Sequence, residues 1–178
     1  MRKIANFIIY FNILIVSFLL GIFDRIYQKK IIRKFKQIFN NKINIIFDVG
    51  AHKGEFTNLI LKKFSINKMH LFEPNYKNFK LLKKKIINKD IDFNNYALGE
   101  KEEKKVFRLM KESSSSTLSK IDKKTKYFKR KNLILNLGLD TSIYKEIIVN
   151  VCDGSKVIRD KKIKSIDLLK IDTEGHEY

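Results

Sequence analysis

The stretch INIIFDVGAHKGEFTNLI, from Ile43 to Ile60, contains the change of pattern that decides the fold. A short apolar run ends at Asp48, glycines follow at Gly50 and Gly54, and helical spacing then begins. This pattern predicts a strand, a turn and a helix. Two interpretations are open: an ordinary unit of an α/β core, or a cradle for a nucleotide-like cofactor. Two glycines alone are weak evidence for the second.

The rest of the chain alternates in the same way. Short apolar runs suited to strands are separated by segments with apolar residues at helical spacing. Strands are predicted over Ile43–Val49, Met69–Phe72, Ile91–Leu98, Ile147–Val151 and Ile166–Ile171. Helices are predicted over Glu55–Phe64 and Tyr76–Ile87, and a short turn or helix over Gly154–Ile158. This order predicts an α/β fold with a parallel sheet and right-handed crossovers.

The composition is strongly basic. The 178 residues include 38 Lys and Arg against 19 Asp and Glu, a formal charge of +19. Such an excess attracts polyanions. The lysines are dispersed, however, and do not form a stripe with aromatic residues, so a bias of composition explains them better and no nucleic-acid partner is predicted. The single cysteine, Cys152, fits a reducing compartment.

The N-terminal region differs from the rest. Residues 4–23 carry no charge and are just long enough to cross a hydrocarbon core of about 30 Å. We therefore predict a membrane anchor, with a buried or interfacial helix as the alternative. Residues 24–41 have the pattern of a basic amphipathic helix, and their charges place the following domain on the cytoplasmic side. The predicted division is an appendage over 1–41 and a domain over 42–178.

Glu73 strengthens the cofactor interpretation of the glycine turn. It ends the second predicted strand. In nucleotide-binding folds an acid at this strand end accepts hydrogen bonds from the ribose hydroxyls. The alternative is a glutamate that caps the helix after Pro74. Asp48 is expected to hold the turn or to meet a cationic group of the ligand.

A second polar cluster follows the last predicted strand and consists of Asp172, Glu174, His176 and Glu177. Carboxylates or an imidazole at this sheet edge are suited to general-base catalysis. The spacing is not that of a recognised zinc site, so no metal is predicted. The alternative is a capped helix start. The serine-rich tract over 113–119 is expected to be a mobile polar loop.

Four segments, FDVGAHKGEFT, HLFEPNYKNFKLL, NNYALGE and IDLLKIDTEGHEY, occur in this order. Together they resemble the FkbM family of S-adenosylmethionine-dependent methyltransferases over residues 43–178, with a poorly matched middle over 101–160. The resemblance implies a Rossmann-like class I methyltransferase fold, S-adenosyl-L-methionine as cofactor, and O-methylation of a sugar or another hydroxyl group.

The resemblance also implies roles for individual residues. It places the cofactor loop at Asp48, Gly50, His52 and Gly54, the ribose contact at Glu73, and the adenine beside Ala97 and Leu98. It places the methyl acceptor beside the segment from Asp172 to Gly175. We take Asp172, Glu174 and His176 as the candidate catalytic residues, with Asp172 and His176 as the candidate bases.

Two features depart from the family pattern. His52 stands where such proteins commonly have Asn, which concerns the side-chain contacts of the loop and not its backbone. The family fold also needs about three further strands after the last motif, so a domain incomplete at its C-terminus is expected.

The expected partner is a small-molecule or glycan acceptor, with membrane association through 4–23. The expected location is the cytoplasm, at the inner face of the membrane. Two other readings stay open: a basic membrane-associated binding module without catalysis, and an inactive truncated product.

Overall fold

The computed structural model describes residues 2–112, 114–137 and 142–176. Helices and strands alternate along most of this length. The helices are α1 Arg2–Phe39, α2 Glu55–Leu61, α3 Tyr76–Lys85, α4 Lys126–Asn136 and α5 Gly154–Asp160. The strands are β1 Lys42–Val49, β2 Ser65–Phe72, β3 Ile91–Asn94, β4 Ala97–Gly99, β5 Glu103–Met110, β6 Tyr144–Asp153 and β7 Leu168–Ile171.

The main sheet has four parallel strands in the order β3-β2-β1-β7. Strand β1 therefore lies between two neighbours, and its last four residues, Ile46 to Val49, are all buried. Burial on both faces is typical of a parallel sheet covered by helices. The predicted α/β class with a parallel sheet, consistent with a Rossmann-like methyltransferase fold, is confirmed.

Apolar side chains cover both faces of this sheet. One cluster includes Ile46, Leu71 and Leu82 and joins the sheet to the helices that follow β1 and β2. The other includes Phe47, Phe72 and Val157 and joins the sheet to α5. Because the core fixes β1 and β2 from both sides, the loops at their carboxyl ends begin from rigid positions.

A second sheet has the order β4-β6-β5, with β4 parallel and β5 antiparallel to β6. The single strand predicted over Ile91–Leu98 is wrong, because the chain forms two strands in different sheets there. Asn94 Nδ2 donates to Leu71 O at 3.1 Å and Asn95 Nδ2 donates to Glu73 O at 2.8 Å. These amides bind backbone carbonyls of the β2 end where the chain bends from one sheet to the other.

Helix α1 is continuous across the predicted junction between 4–23 and 24–41. Its Ile32 is buried in the core cluster beside the main sheet. Near its start, Asn12 Nδ2 donates to Ile134 O at 2.5 Å, which ties it to α4. In the part of the chain that the structure describes, no helix has both the length and the apolarity needed to cross a membrane. The predicted membrane anchor is therefore not supported, and the domain boundary at residue 42 stays a prediction.

Candidate functional site

The carboxyl ends of β1, β2 and β7 meet at one edge of the main sheet, beside a pocket of about 850 Å³. Pockets of about 300–1,000 Å³ are typical of small-molecule sites. The pocket brings together most of the predicted site residues: Gly50, His52, Glu73, Ala97, Leu98, Asp172, Glu174 and His176. Asp48 and Gly54 are not among its described lining residues.

Gly50 directly follows the last residue of β1 and lies against the backbone of Asp172, the first residue after β7. Its φ is +79°, a left-handed conformation that glycine adopts without strain. A Cβ atom at this position would lie 2.1 Å from the carbonyl oxygen of Asp172. The position therefore requires glycine twice, for its backbone angle and for the close approach of the chain after β7.

The backbone amides of this bend point inward. Gly50 N and Ala51 N both donate to Phe72 O at 3.0 Å. His52 N donates to Glu73 Oε2 at 2.8 Å. These three amides therefore bind the loop to the end of β2.

Glu73 is the central polar group of the pocket and is only 4% exposed. Its Oε2 accepts the amide of His52, and its Oε1 accepts the amide of Asn75 at 2.8 Å. Burial raises the pKa of the Glu73 carboxyl to about 7, against the lowering effect of these two hydrogen bonds. A carboxylate has about four acceptor positions, so two remain for hydroxyl groups of a ligand.

Asp48 supports the loop from within the core. It is fully buried. Thr57 Oγ1 donates to its Oδ2 at 2.7 Å, and Lys170 Nζ lies 3.0 Å from its Oδ1. A buried carboxylate needs such partners because its charge has been removed from water. The role of holding the turn fits this geometry better than contact with a ligand.

Lys170 is a site residue that the sequence interpretation missed. Besides its ion pair with Asp48, its Nζ donates to Gly50 O at 2.9 Å and lies 3.6 Å from Asp172 Oδ2. One ammonium group thus joins the end of β1, the glycine bend and the chain after β7. The signal in the sequence was a lysine inside the otherwise apolar strand LLKI, which pairs opposite an acid of β1.

Gly54 and His52 have different surroundings. At Gly54, with φ +80°, a Cβ atom would lie 2.7 Å from Leu82 Cδ1, so the glycine allows α3 to pack against the loop. The place of Gly54 in the cofactor loop stays a prediction. His52 lines the pocket, has φ +50°, and places Nδ1 3.3 Å from Glu55 Oε2.

Ala97 and Leu98 belong to β4 and line the pocket. Asn95, just before them, donates to the carbonyl of Glu73. This hydrogen bond therefore connects the segment before Ala97 and Leu98, the predicted adenine contacts, to Glu73, the predicted ribose contact, although β4 and β2 belong to different sheets.

The chain after β7 forms the remaining wall. The side chain of Asp172 is 60% exposed, and Glu174 has φ +54°. The serine-rich segment that was expected to be a mobile loop packs against this chain. Ser119 Oγ donates to Gly175 O at 2.5 Å and lies 3.5 Å from His176 Nδ1. Glu177 lies outside the described residues.

The serine-rich segment is itself fixed to β5. Arg108 N donates to Thr117 O at 2.8 Å, and Arg108 Nη1 donates to Leu118 O at 3.3 Å and Ser119 O at 3.2 Å. Ser114, Ser116 and Leu118 line the pocket. Sequence interpretation missed this wall, because a serine run resembles a solvated loop until its partner strand is known.

The donor set suits an adenosyl group better than a metal ion. A buried carboxylate with spare acceptor positions suits vicinal hydroxyls, and small apolar residues of β4 suit a flat base. Among the described residues, no group of three or more His, Cys, Asp or Glu side chains is arranged to hold a metal ion.

Comparison with known proteins agrees with this geometry. The family model described as the methyltransferase FkbM domain matches residues 48–178, a range that contains all the loops described above. No curated protein and no solved structure matches the chain. The chain belongs to the FkbM methyltransferase family.

Proposed function

We propose that this protein transfers a methyl group from S-adenosyl-L-methionine to a hydroxyl group of a sugar or another small acceptor. The observation that carries the proposal is the Glu73 carboxylate, buried at the pocket beside the Gly50 bend, inside the region that matches the family. When bound, the cofactor supplies a methyl group on a positively charged sulfur.

Glu73 would hold the ribose, since its two oxygens are oriented by the amides of His52 and Asn75 and keep acceptor positions open. Ala97 and Leu98 would contact the adenine. Binding at these points fixes the position of the reacting end, and positioning of the two reactants contributes much of the acceleration in a transfer of this kind.

The acceptor would lie against the wall formed by the chain after β7 and the serine-rich segment. Its hydroxyl must lose a proton as the new O–CH₃ bond forms, and Asp172, Glu174 and His176 are the groups of this wall that can take it. The serine hydroxyls opposite them would donate to and accept from the other hydroxyls of a polyol.

Equilibrium dialysis with radiolabelled S-adenosyl-L-methionine tests the proposal. Glu73→Gln is expected to weaken binding about 10- to 100-fold, because hydrogen bonds to a charged group contribute about 1.5–3 kcal/mol. Glu102→Gln is the control, since it makes the same substitution at a largely exposed glutamate that pairs with Lys156 outside the pocket. Equal affinity in wild type and Glu73→Gln would remove the ribose role from Glu73.

Acceptors are then found by release of S-adenosylhomocysteine from the same protein in the presence of individual methyl glycosides. Thermal unfolding of each variant shows that a loss of binding does not reflect loss of the fold.

A further inference from the structure

The contact between the serine-rich segment and the chain after β7 carries an inference about proton transfer. Ser119 has one hydroxyl proton, and its Oγ lies 2.5 Å from the carbonyl oxygen of Gly175. A carbonyl oxygen can only accept, so the proton of Ser119 is committed to Gly175.

The same oxygen lies 3.5 Å from Nδ1 of His176. Because the hydroxyl proton is already directed to Gly175, Ser119 Oγ can only accept at the histidine ring. A hydrogen bond between these two atoms therefore requires the ring proton on Nδ1. A neutral imidazole has one N–H and one free lone pair, so the lone pair lies on Nε2.

The position of Ser119 is held by its surroundings. Arg108 Nη1 donates to Ser119 O, and Ser119 N donates to Thr117 Oγ1 at 3.0 Å. Thr117 Oγ1 in turn donates to Thr173 O at 3.4 Å, which joins the two segments a second time. The Ser119 hydroxyl that contacts His176 is therefore held in place by a network of hydrogen bonds.

We propose that Ser119 is a positioning residue that keeps the proton of His176 on Nδ1 and so makes Nε2 the base toward the methyl acceptor. The role as base rests on the proposed methyl transfer. In that step the acceptor O–H bond breaks and its proton moves to Nε2. The acceptor oxygen bonds the methyl carbon, and the S–CH₃ bond breaks with its electron pair left on sulfur.

The test is the ring tautomer of His176, read by long-range ¹H–¹⁵N correlation spectra of the full, uniformly ¹⁵N-labelled chain at about pH 9, where an ordinary imidazole is neutral. The chain contains three histidines, and the spectrum of His176→Gln identifies the signals of this one. In the wild type we expect the proton on Nδ1. A ring protonated mainly on Nε2 would overturn the inference without any further variant.

Ser119→Ala removes the acceptor oxygen and is expected to lower the ratio of Nδ1–H to Nε2–H about fivefold, as loss of one ordinary hydrogen bond gives. Ser119→Thr keeps the hydroxyl and should keep the wild-type ratio. Ser142→Ala is the matched control, because Ser142 also donates to a backbone carbonyl, that of Tyr144, whereas the contact with His176 is made by Ser119. An unchanged ratio in a folded Ser119→Ala protein would contradict the proposal.

Equilibrium dialysis of the same samples with S-adenosyl-L-methionine distinguishes the positioning role of Ser119 from the proposed methyl transfer. Normal cofactor binding with the wrong tautomer removes the role of Ser119 and leaves the proposed function standing. The expected tautomer without cofactor binding removes the proposed function and reduces this inference to a statement about the ring of His176.

Discussion

The buried carboxyl of Glu73 predicts an unusual dependence of stability on pH. Its pKa in the folded chain is about 7, against an ordinary value of 4.5, so the folded state holds the proton more tightly than the unfolded state. Between pH 4.5 and 7 the unfolded chain ionises at this position and the folded chain does not. This group therefore favours folding at low pH, and its contribution falls as the pH rises to 7.

The size of the effect follows from the shift. Each pKa unit corresponds to about 1.4 kcal/mol, so a shift from 4.5 to about 7 changes the free energy of unfolding by about 3 kcal/mol. Urea unfolding of wild type and Glu73→Gln at several values from pH 4 to pH 8 isolates this contribution, because the other carboxyl groups titrate equally in both proteins.

The difference in stability between wild type and Glu73→Gln should therefore move by about 3 kcal/mol against the wild type between pH 4.5 and 7, and then level off. Glu102→Gln should follow the wild-type curve, since Glu102 is largely exposed. Wild-type and Glu73→Gln curves that stay parallel over the whole range would refute the argument that burial raises the pKa of Glu73.

Three further predictions concern the same loops. Gly50→Ala should cost about 3 kcal/mol of stability, because of its positive φ and the contact of the added Cβ with Asp172 O. Gly175→Ala also has a positive φ, +87°, but its added Cβ meets open space in the described structure, so it should cost only about 1–2 kcal/mol. Thermal unfolding measures both, and equal losses would contradict the steric argument. Lys170→Met should lower the free energy of unfolding by about 3 kcal/mol, because the buried carboxylate of Asp48 loses its partner. The double variant Lys170→Met, Asp48→Asn should recover part of this loss in urea titrations. Unchanged stability in Lys170→Met would show that the ion pair does not contribute. Affinity for S-adenosyl-L-methionine should rise about tenfold from pH 6 to pH 8, since the ribose hydroxyls bind the carboxylate form of Glu73, and Glu73→Gln should lose this dependence in dialysis.

Local patterns predicted the parts of the site that depend on neighbours in sequence. The bend at Gly50 follows from an apolar run interrupted by glycine, and Glu73 follows from an acid at a strand end. The parallel sheet makes these two meet, because β1 and β2 end at the same edge.

The sequence pattern could not predict contacts that depend on the register between paired strands. Lys170 reaches Asp48 only because β7 pairs with β1 so that these two residues lie opposite each other. No spacing within the sequence contains that information, since the partners are more than 100 residues apart.

The serine-rich segment and β5 show the same limit in another form. Strand β5 begins with three charged residues and its buried residues, Phe107 and Met110, do not alternate, so its sequence lacks the usual strand pattern. Its partner β6 comes only after α4 in the chain. Once the two strands pair, the serines that resembled a solvated loop become a wall of the pocket, and Ser119 meets His176.

The central claim is that the pocket between the glycine bend and Glu73 takes the adenosyl group of the cofactor. A crystal structure of the chain with S-adenosylhomocysteine tests this most directly. We expect both ribose hydroxyls within hydrogen-bonding distance of the Glu73 carboxylate, and the adenine against Ala97 and Leu98. A nucleoside bound elsewhere, with Glu73 in contact only with the amides of His52 and Asn75, would contradict it.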